Sequence, residues 1–82
     1  MKTEVHEFVT ISEYDEIGKM VNIEKVINRT KCKTKKEAHQ CLRNKRYSKW
    51  WKDNSFYHKN SKLKLSDGHE LLFRYESTII IC

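Results

Sequence analysis

Apolar positions along the chain fall in short, mostly alternating runs separated by polar turns. Glu4 to Ile11 (EVHEFVTI) is rich in β-branched and aromatic residues with partial alternation, which predicts a strand. Ser12 to Lys19 holds Asp15 and Gly18 and reads as a turn. Met20 to Arg29 (MVNIEKVINR) satisfies two periods: Val21, Ile23 and Ile27 fit alternation, while Met20, Ile23 and Ile27 fit one helical face. β-branched residues dominate this stretch and its flanking signals suit a hairpin, so it is read as a second strand.

The next segment has helical punctuation. Thr34 followed by Lys35-Lys36-Glu37 is a Thr-x-x-Glu capping box, in which Thr34 accepts from the N–H of Glu37 and Glu37 reaches back to the N–H of Thr34. Ala38, Gln40, Leu42, Arg43, Lys45 and Arg46 are good helix formers, and a helix is expected over 35–50, broken by Asp53-Asn54-Ser55. Further on, Asp67-Gly68 separates Lys62-Leu63-Lys64-Leu65-Ser66 from His69 to Tyr75, a strong short-range hairpin signal. A β-branched run, Ser77 to Cys82, ends the sequence. The predicted order is β-β-α-β-β-β: a single α+β domain over 1–82, a small antiparallel sheet with one central helix.

Composition and charge change the picture from a generic small domain to a polarised one. The 82 residues hold 17 Lys+Arg against 11 Asp+Glu, a formal net charge of +6. The middle is far more basic than that total. Residues 1–28 carry three basic against six acidic side chains, residues 29–64 carry thirteen against two, and residues 65–82 carry one against three. Self-repulsion in such a block costs stability, and a polyanion neutralises it; nucleic acid is the commonest such partner. The plain alternative is a solvated face kept soluble by lysine.

On a helical wheel Ala38, Cys41 and Leu42 fall together and are expected to face the sheet. Lys36, Gln40, Arg43, Tyr47 and Trp50 form a second stripe, where cations would neutralise phosphate and flat rings would stack on bases. The candidate RNA-binding residues are therefore Lys31, Lys33, Lys35, Lys36, Arg43, Lys45, Arg46, Tyr47, Lys49, Trp50 and Lys52. Against the aromatic part of this assignment, a chain with little apolar surface is expected to place at least one of Trp50 and Trp51 in its core. Lys35 and Lys36 sit where the helix dipole disfavours cations, so a bound anion would relieve them. Thirteen lysines against four arginines favour backbone tracking over base-edge reading, and the architecture suits RNA or a flexible single strand better than a DNA major groove.

Other chemistry is thin. No apolar run approaches the roughly 20 residues that span a bilayer, and no N-terminal stretch reads as a signal peptide, so a reducing cytosol is the expected compartment. Cys32 and Cys41 are then reduced and partly buried, and the terminal Cys82 exposed. Cys32, His39, Cys41 and His58 lack zinc-ligand spacing, so no metal and no cofactor is expected. His58 or His69 beside lysines could supply acid–base chemistry for RNA cleavage, but isolated histidines are the commoner outcome, and the chain is read as non-enzymatic. The run Thr78-Ile79-Ile80-Ile81 is the candidate edge for a homodimer; its alternative is an internal strand of the same sheet.

In size, absence of Pro, a single Ala (Ala38), heavy use of Lys, Ile and Asn, and a basic centre, the chain resembles the small early proteins of large T4-like bacteriophages. Among these, a small basic RNA-binding inhibitor of the ToxN ribonuclease toxin, from a type III toxin–antitoxin system, is similar in size and charge. The resemblance implies an anti-defence protein of the host cytoplasm that uses bound RNA to block a host ribonuclease toxin, and it transfers no individual residue. The alternative from a different class is a protein–protein inhibitor, or a DNA-binding regulator, that docks the basic patch on an acidic host enzyme or on DNA.

Overall fold

The computed structural model describes residues 2–81. Strands β1 (Thr3–Tyr14) and β2 (Met20–Cys32) are followed by helix α1 (Lys35–Asn44), then by β3 (Ser48–Lys49), β4 (Phe56–Lys64) and β5 (Glu70–Ile81). The strands form one antiparallel sheet in the order β2-β1-β5-β4-β3, so the expected α+β class with one helix and an antiparallel sheet holds, although β3 arises within the segment expected as helix. β1 and β2 pair along almost their whole length, from Thr3 opposite Cys32 to Tyr14 opposite Met20, with an irregularity at Glu13/Tyr14.

Two tight turns lie at one end of the sheet. In the first, Asp15 Oδ1 accepts from the N–H groups of Ile17 and Lys19, and Gly18 takes φ +86. The second repeats the device: Asp67 Oδ1 accepts from the N–H of His69, and Gly68 takes φ +88. That left-handed conformation strains a residue with a Cβ, so both glycines are required by the turns rather than by packing.

The helix lies at the other end. Val5 is opposite both Thr30 and Ile79, which puts all three on the sheet face that α1 covers. Ala38 and Leu42 come down on this face, and with Val5, Tyr47, Tyr57 and Ile79 they form the core, with Cys32 and Tyr75 packed against it. The wheel prediction for Ala38 and Leu42 holds, and Cys41 beside them is half-buried. Because a ten-residue helix is only about 15 Å long, it covers one end of a molecule measuring 48 × 21 × 20 Å.

Several boundaries differ from those expected. The helix stops at Asn44, six residues short of position 50. Arg46 adopts φ 66, its N–H donates to the carbonyl of Arg43, and the N–H of Tyr47 donates to the carbonyl of Leu42. This is a Schellman cap with arginine in the place usually held by glycine. It turns Tyr47 back into the core beside Leu42. The capping box forms through Thr34, whose Oγ1 accepts from Glu37 N–H at 3.1 Å, but the Glu37 carboxylate takes the N–H of Lys33, not that of Thr34. Asp53-Asn54-Ser55 does not end the helix; it belongs to the turn between β3 and β4. Residues expected as two C-terminal strands form the continuous strand β5, which runs through Ser77 because that small side chain is buried between Glu7 of β1 and Tyr57 of β4.

β5 lies between β1 and β4, so the Thr78-Ile79-Ile80-Ile81 run is an internal strand and not the proposed dimer edge. The long edge strand is β2, on which Met20, Val21, Ile23, Val26 and Ile27 are exposed. Cys32 and Cys41 are free and half-buried, and burial pushes the Cys32 thiol upward, which keeps it protonated. Cys82 lies outside the described residues. Among the described residues, no helix is long and apolar enough to cross a membrane.

Candidate nucleic-acid interface

The basic segment is sorted by the fold into three destinations. The first is structural. The Glu7 carboxylate is buried beneath the helix end, where Lys45 Nζ reaches Oε1 at 2.6 Å and the Tyr47 hydroxyl donates to Oε2 at 2.9 Å. A buried carboxylate is tolerated only when its oxygens are paired in this way. The hydrogen bond to Glu7 raises the Lys45 pKa, and burial, reinforced by Glu7, pushes the Tyr47 phenol far above its ordinary range. Both residues were candidates for RNA binding. Tyr47 is 6% exposed and cannot stack on a base, and the Lys45 ammonium is committed to Glu7, so both are corrected to structural roles.

The second destination is the sheet face away from the helix. Lys31 is opposite Glu4, which alternates on β1 with the buried Thr3 and Val5. Lys31 therefore points away from α1, on the same face as Arg29 and Lys25, and is separated from the helix cations. That removes it from the predicted site.

The third destination is one flank of α1 and the edge strand beside it. Lys35, His39 and Arg43 recur every four residues and so form one stripe along the helix. The direction of the stripe is fixed by His39, whose Nδ1 lies 2.6 Å from the Tyr57 hydroxyl on β4. Tyr57 is opposite Lys49 on β3, which brings Lys49 to the same flank. Their closeness is felt electrostatically. Burial lowers the His39 pKa, and the cations of Lys49, Lys35 and Arg43 lower it further. Lys36 lies next to this stripe on the exposed side of the helix.

Among the described residues, Lys33, Lys35, Lys36, Arg43, Arg46, Lys49 and Lys52 have no carboxylate within 4.0 Å; of the eight basic residues in 33–52, Lys45 alone is paired. Lys33 is exposed in the loop entering the helix, and Arg46 is exposed at its cap. A separate group of acidic side chains lies at the turn end, while Glu4, Glu7, Glu37 and Asp53 lie at the helix end. At the turn end the Glu13 carboxylate accepts from His69 Nδ1–H at 2.7 Å, and that contact raises the His69 pKa. Asp15, Glu16, Asp67 and Glu70 lie near the same turns.

The tryptophans complete the basic end. Neither is in the core, contrary to the expectation for at least one of them: Trp50 is 39% and Trp51 78% exposed. The Trp50 N–H donates to the carbonyl of Phe56, and its ring meets Phe56 and His58 almost perpendicularly, at centroid distances of 6.0 and 5.4 Å. Trp51 projects from the turn with Lys52 Nζ 4.6 Å from its ring centroid. The cation thus lies over one face of the Trp51 ring.

Two participants were missed from sequence. His39 carries an i, i+4 signal with Lys35 and Arg43 that was legible but was weighed only as a zinc ligand. Trp51 is absent from the candidate residues because one of the two tryptophans was expected in the core. No cluster of three or more His, Cys, Asp or Glu side chains that could hold a metal occurs among the described residues, and Cys32, His39, Cys41 and His58 do not converge. Comparison with protein-family models, with curated proteins and with solved structures returns no match, so the function of this chain is read from the charge and geometry of the site itself.

Proposed function

We propose that the chain is a small, non-enzymatic RNA-binding protein that holds the phosphates of a single-stranded segment along the flank formed by α1, β3 and the turn that follows. The observation that carries this reading is the set of cations on that flank. Lys35, Lys36, Arg43, Lys49 and Lys52 are exposed and, among the described residues, none has a carboxylate within 4.0 Å, although Glu37 and Asp53 lie in the same stretch of chain. Cations crowded together without carboxylates repel one another, and a polyanion removes the repulsion. Exposed Trp50 and Trp51 beside them offer ring faces to unpaired bases, each such stack contributing about 1–3 kcal/mol.

The similarity to small phage proteins extends this proposal to a host ribonuclease toxin, blocked through the bound RNA in the host cytoplasm. The test has two stages. Protein purified from cells is assayed for absorbance at 260 against 280 nm before and after nuclease treatment, and then titrated with labelled single-stranded RNA at several salt concentrations. Copurifying RNA and steep salt-dependent binding support the proposal. Nucleic-acid-free protein that binds no RNA but retains one host polypeptide overturns it in favour of a protein–protein inhibitor.

A further inference from the structure

On the sheet face opposite the helix, Trp50, Phe56, His58 and Arg74 surround a cleft of about 390 Å3, inside the range of roughly 300–1,000 Å3 typical of small-ligand sites. We infer that this cleft is a nucleobase pocket that selects guanine, an inference that rests on the RNA-binding reading above and assigns a base to it.

The position of the cleft follows from strand alternation. Lys49 is opposite Tyr57 on the helix side, whereas Ser48 is opposite His58 on the far side, and the Trp50 ring joins His58 there. β3 is the last strand of the sheet. A nucleic-acid backbone lying along this edge therefore meets the cation flank on one side and the cleft on the other, and a base can turn over the edge while its phosphate stays at Lys49. The walls suit a flat, apolar group. Neither Phe56 nor His58 is stacked parallel on Trp50, whose ring stays partly open to a base.

The polar groups decide which part of the nucleotide enters. Asp53, Glu76 and Arg74 all line the cleft, two carboxylates against one guanidinium. Arg74 Nε is 2.9 Å from Glu76 Oε1, which neutralises one carboxylate and leaves the other in excess. Asp53 Oδ1 accepts from both the N–H and the hydroxyl of Ser55, contacts that lower its pKa and hold it ionised. The excess negative charge repels a phosphate and favours a base edge rich in N–H donors. Guanine presents two adjacent donors, N1–H and the N2 amine, to a carboxylate, and its O6 and N7 are acceptors of the kind a guanidinium reads. Adenine has no donor at N1, and uracil and cytosine each offer one donor group on that edge. Unpaired bases held against aromatic rings and read on their edges are the usual mode of single-stranded RNA recognition.

The experiment compares labelled oligouridylates of equal length carrying one central guanosine, adenosine or inosine, or none, by fluorescence anisotropy at fixed salt. The guanosine oligomer is expected to bind about tenfold more tightly than the others, a typical ratio for one well-paired base edge. Inosine, which lacks the N2 amine, drops to the adenosine level. Asp53→Asn, which keeps an oxygen to accept from Ser55, brings the guanosine oligomer down to the affinity that the wild type shows for adenosine. Equal binding of all four oligomers to the wild type overturns the guanine assignment and leaves RNA binding standing. Retention of the preference in folded Asp53→Asn overturns it as well. Failure of every oligomer to bind overturns this inference and the RNA-binding reading together.

Discussion

Neutralising Lys36, Arg43 and Lys49 together should remove most of the salt dependence of RNA binding without unfolding the chain. All three side chains are exposed, and none is paired with a carboxylate among the described residues. If Lys35, Lys36, Arg43, Lys49 and Lys52 each contact one phosphate, log affinity falls with log salt at a slope of about −0.7 per contact, or roughly −3.5. Between 50 and 200 mM salt the wild type then loses about 100-fold in affinity. Replacing three cations by glutamine lowers the slope to about −1.4 and the affinity at 0.1 M salt by about 100-fold. The folding cost is small. Arg43 loses a favourable place in the last helical turn, worth about 0.3–1 kcal/mol, while removing Lys36 from the first turn gives part of that back. Lys62→Gln with Lys64→Gln is the internal control, because these residues lie beside the second turn, roughly 25 Å along β4 from Phe56. The assay is anisotropy with a labelled single strand from 50 to 400 mM salt, with circular dichroism confirming the fold. A triple variant that keeps a slope near −3.5, or a control pair that lowers it as much as the triple does, refutes the placement of the phosphates.

Three further outcomes follow from the geometry. Tyr47→Phe leaves Glu7 Oε2 without its hydroxyl donor and should cost about 1–3 kcal/mol in denaturant unfolding, while the salt slope of RNA binding stays that of the wild type because Tyr47 is buried. Arg46→Gly relieves a side chain held at positive φ and should raise stability by about 1 kcal/mol, seen as a thermal midpoint higher by about 4–8 °C. His39 should titrate below the ordinary imidazole value of 6.5, by NMR, and Lys49→Gln should bring it part of the way back. Because the unfolded chain then binds more protons than the folded one just below pH 6.5, the stability due to neutral His39 is fully present above that pH and is lost as the pH falls through the lowered value. His69 acts in the opposite sense, since Glu13 raises its pKa and its contribution fades as pH rises. Melts of wild type and His39→Gln between pH 7.5 and 5 separate the two, and a pH profile unchanged by His39→Gln refutes the assignment.

The parts of the fold that were legible are those where short-range chemistry and tertiary packing agree. Thr34 and Asp67-Gly68 do locally what their residue types require, and the β-branched run from Met20 is a strand although its apolar positions also fit a helix. The illegible parts are those where a distant partner overrides a local preference. Lys45, Arg46 and Lys49 are good helix formers, and no glycine or proline marks a stop between 45 and 50. The helix ends because turning the chain at Arg46 brings Tyr47 onto Leu42 and the Glu7 carboxylate, 40 residues away in sequence. Likewise β4 (FYHKNSKLK) lacks the apolar alternation of a strand over most of its length, and it is held by pairing to β5 on one side.

The site was legible to a similar degree and for a related reason. A count of charges along the chain locates the basic block but cannot distinguish a cation that is free from one that is spent. Lys45 and Lys49 are four residues apart and alike in sequence, yet Glu7 claims the first and the second stands at an edge beside His39. Lys31 is removed by the alternation of β2, which a shift of one residue in register would have reversed. What survives is smaller than the block from which it was predicted, but it lies together. The stripe at 35, 39 and 43 meets Lys49 across Tyr57, and both tryptophans are exposed at the adjacent turn. A solvated face has no need to gather on one flank five cations that no carboxylate pairs among the described residues, beside two exposed indole rings. An elongated ligand with repeating negative charge and flat faces accounts for both the gathering and the open rings.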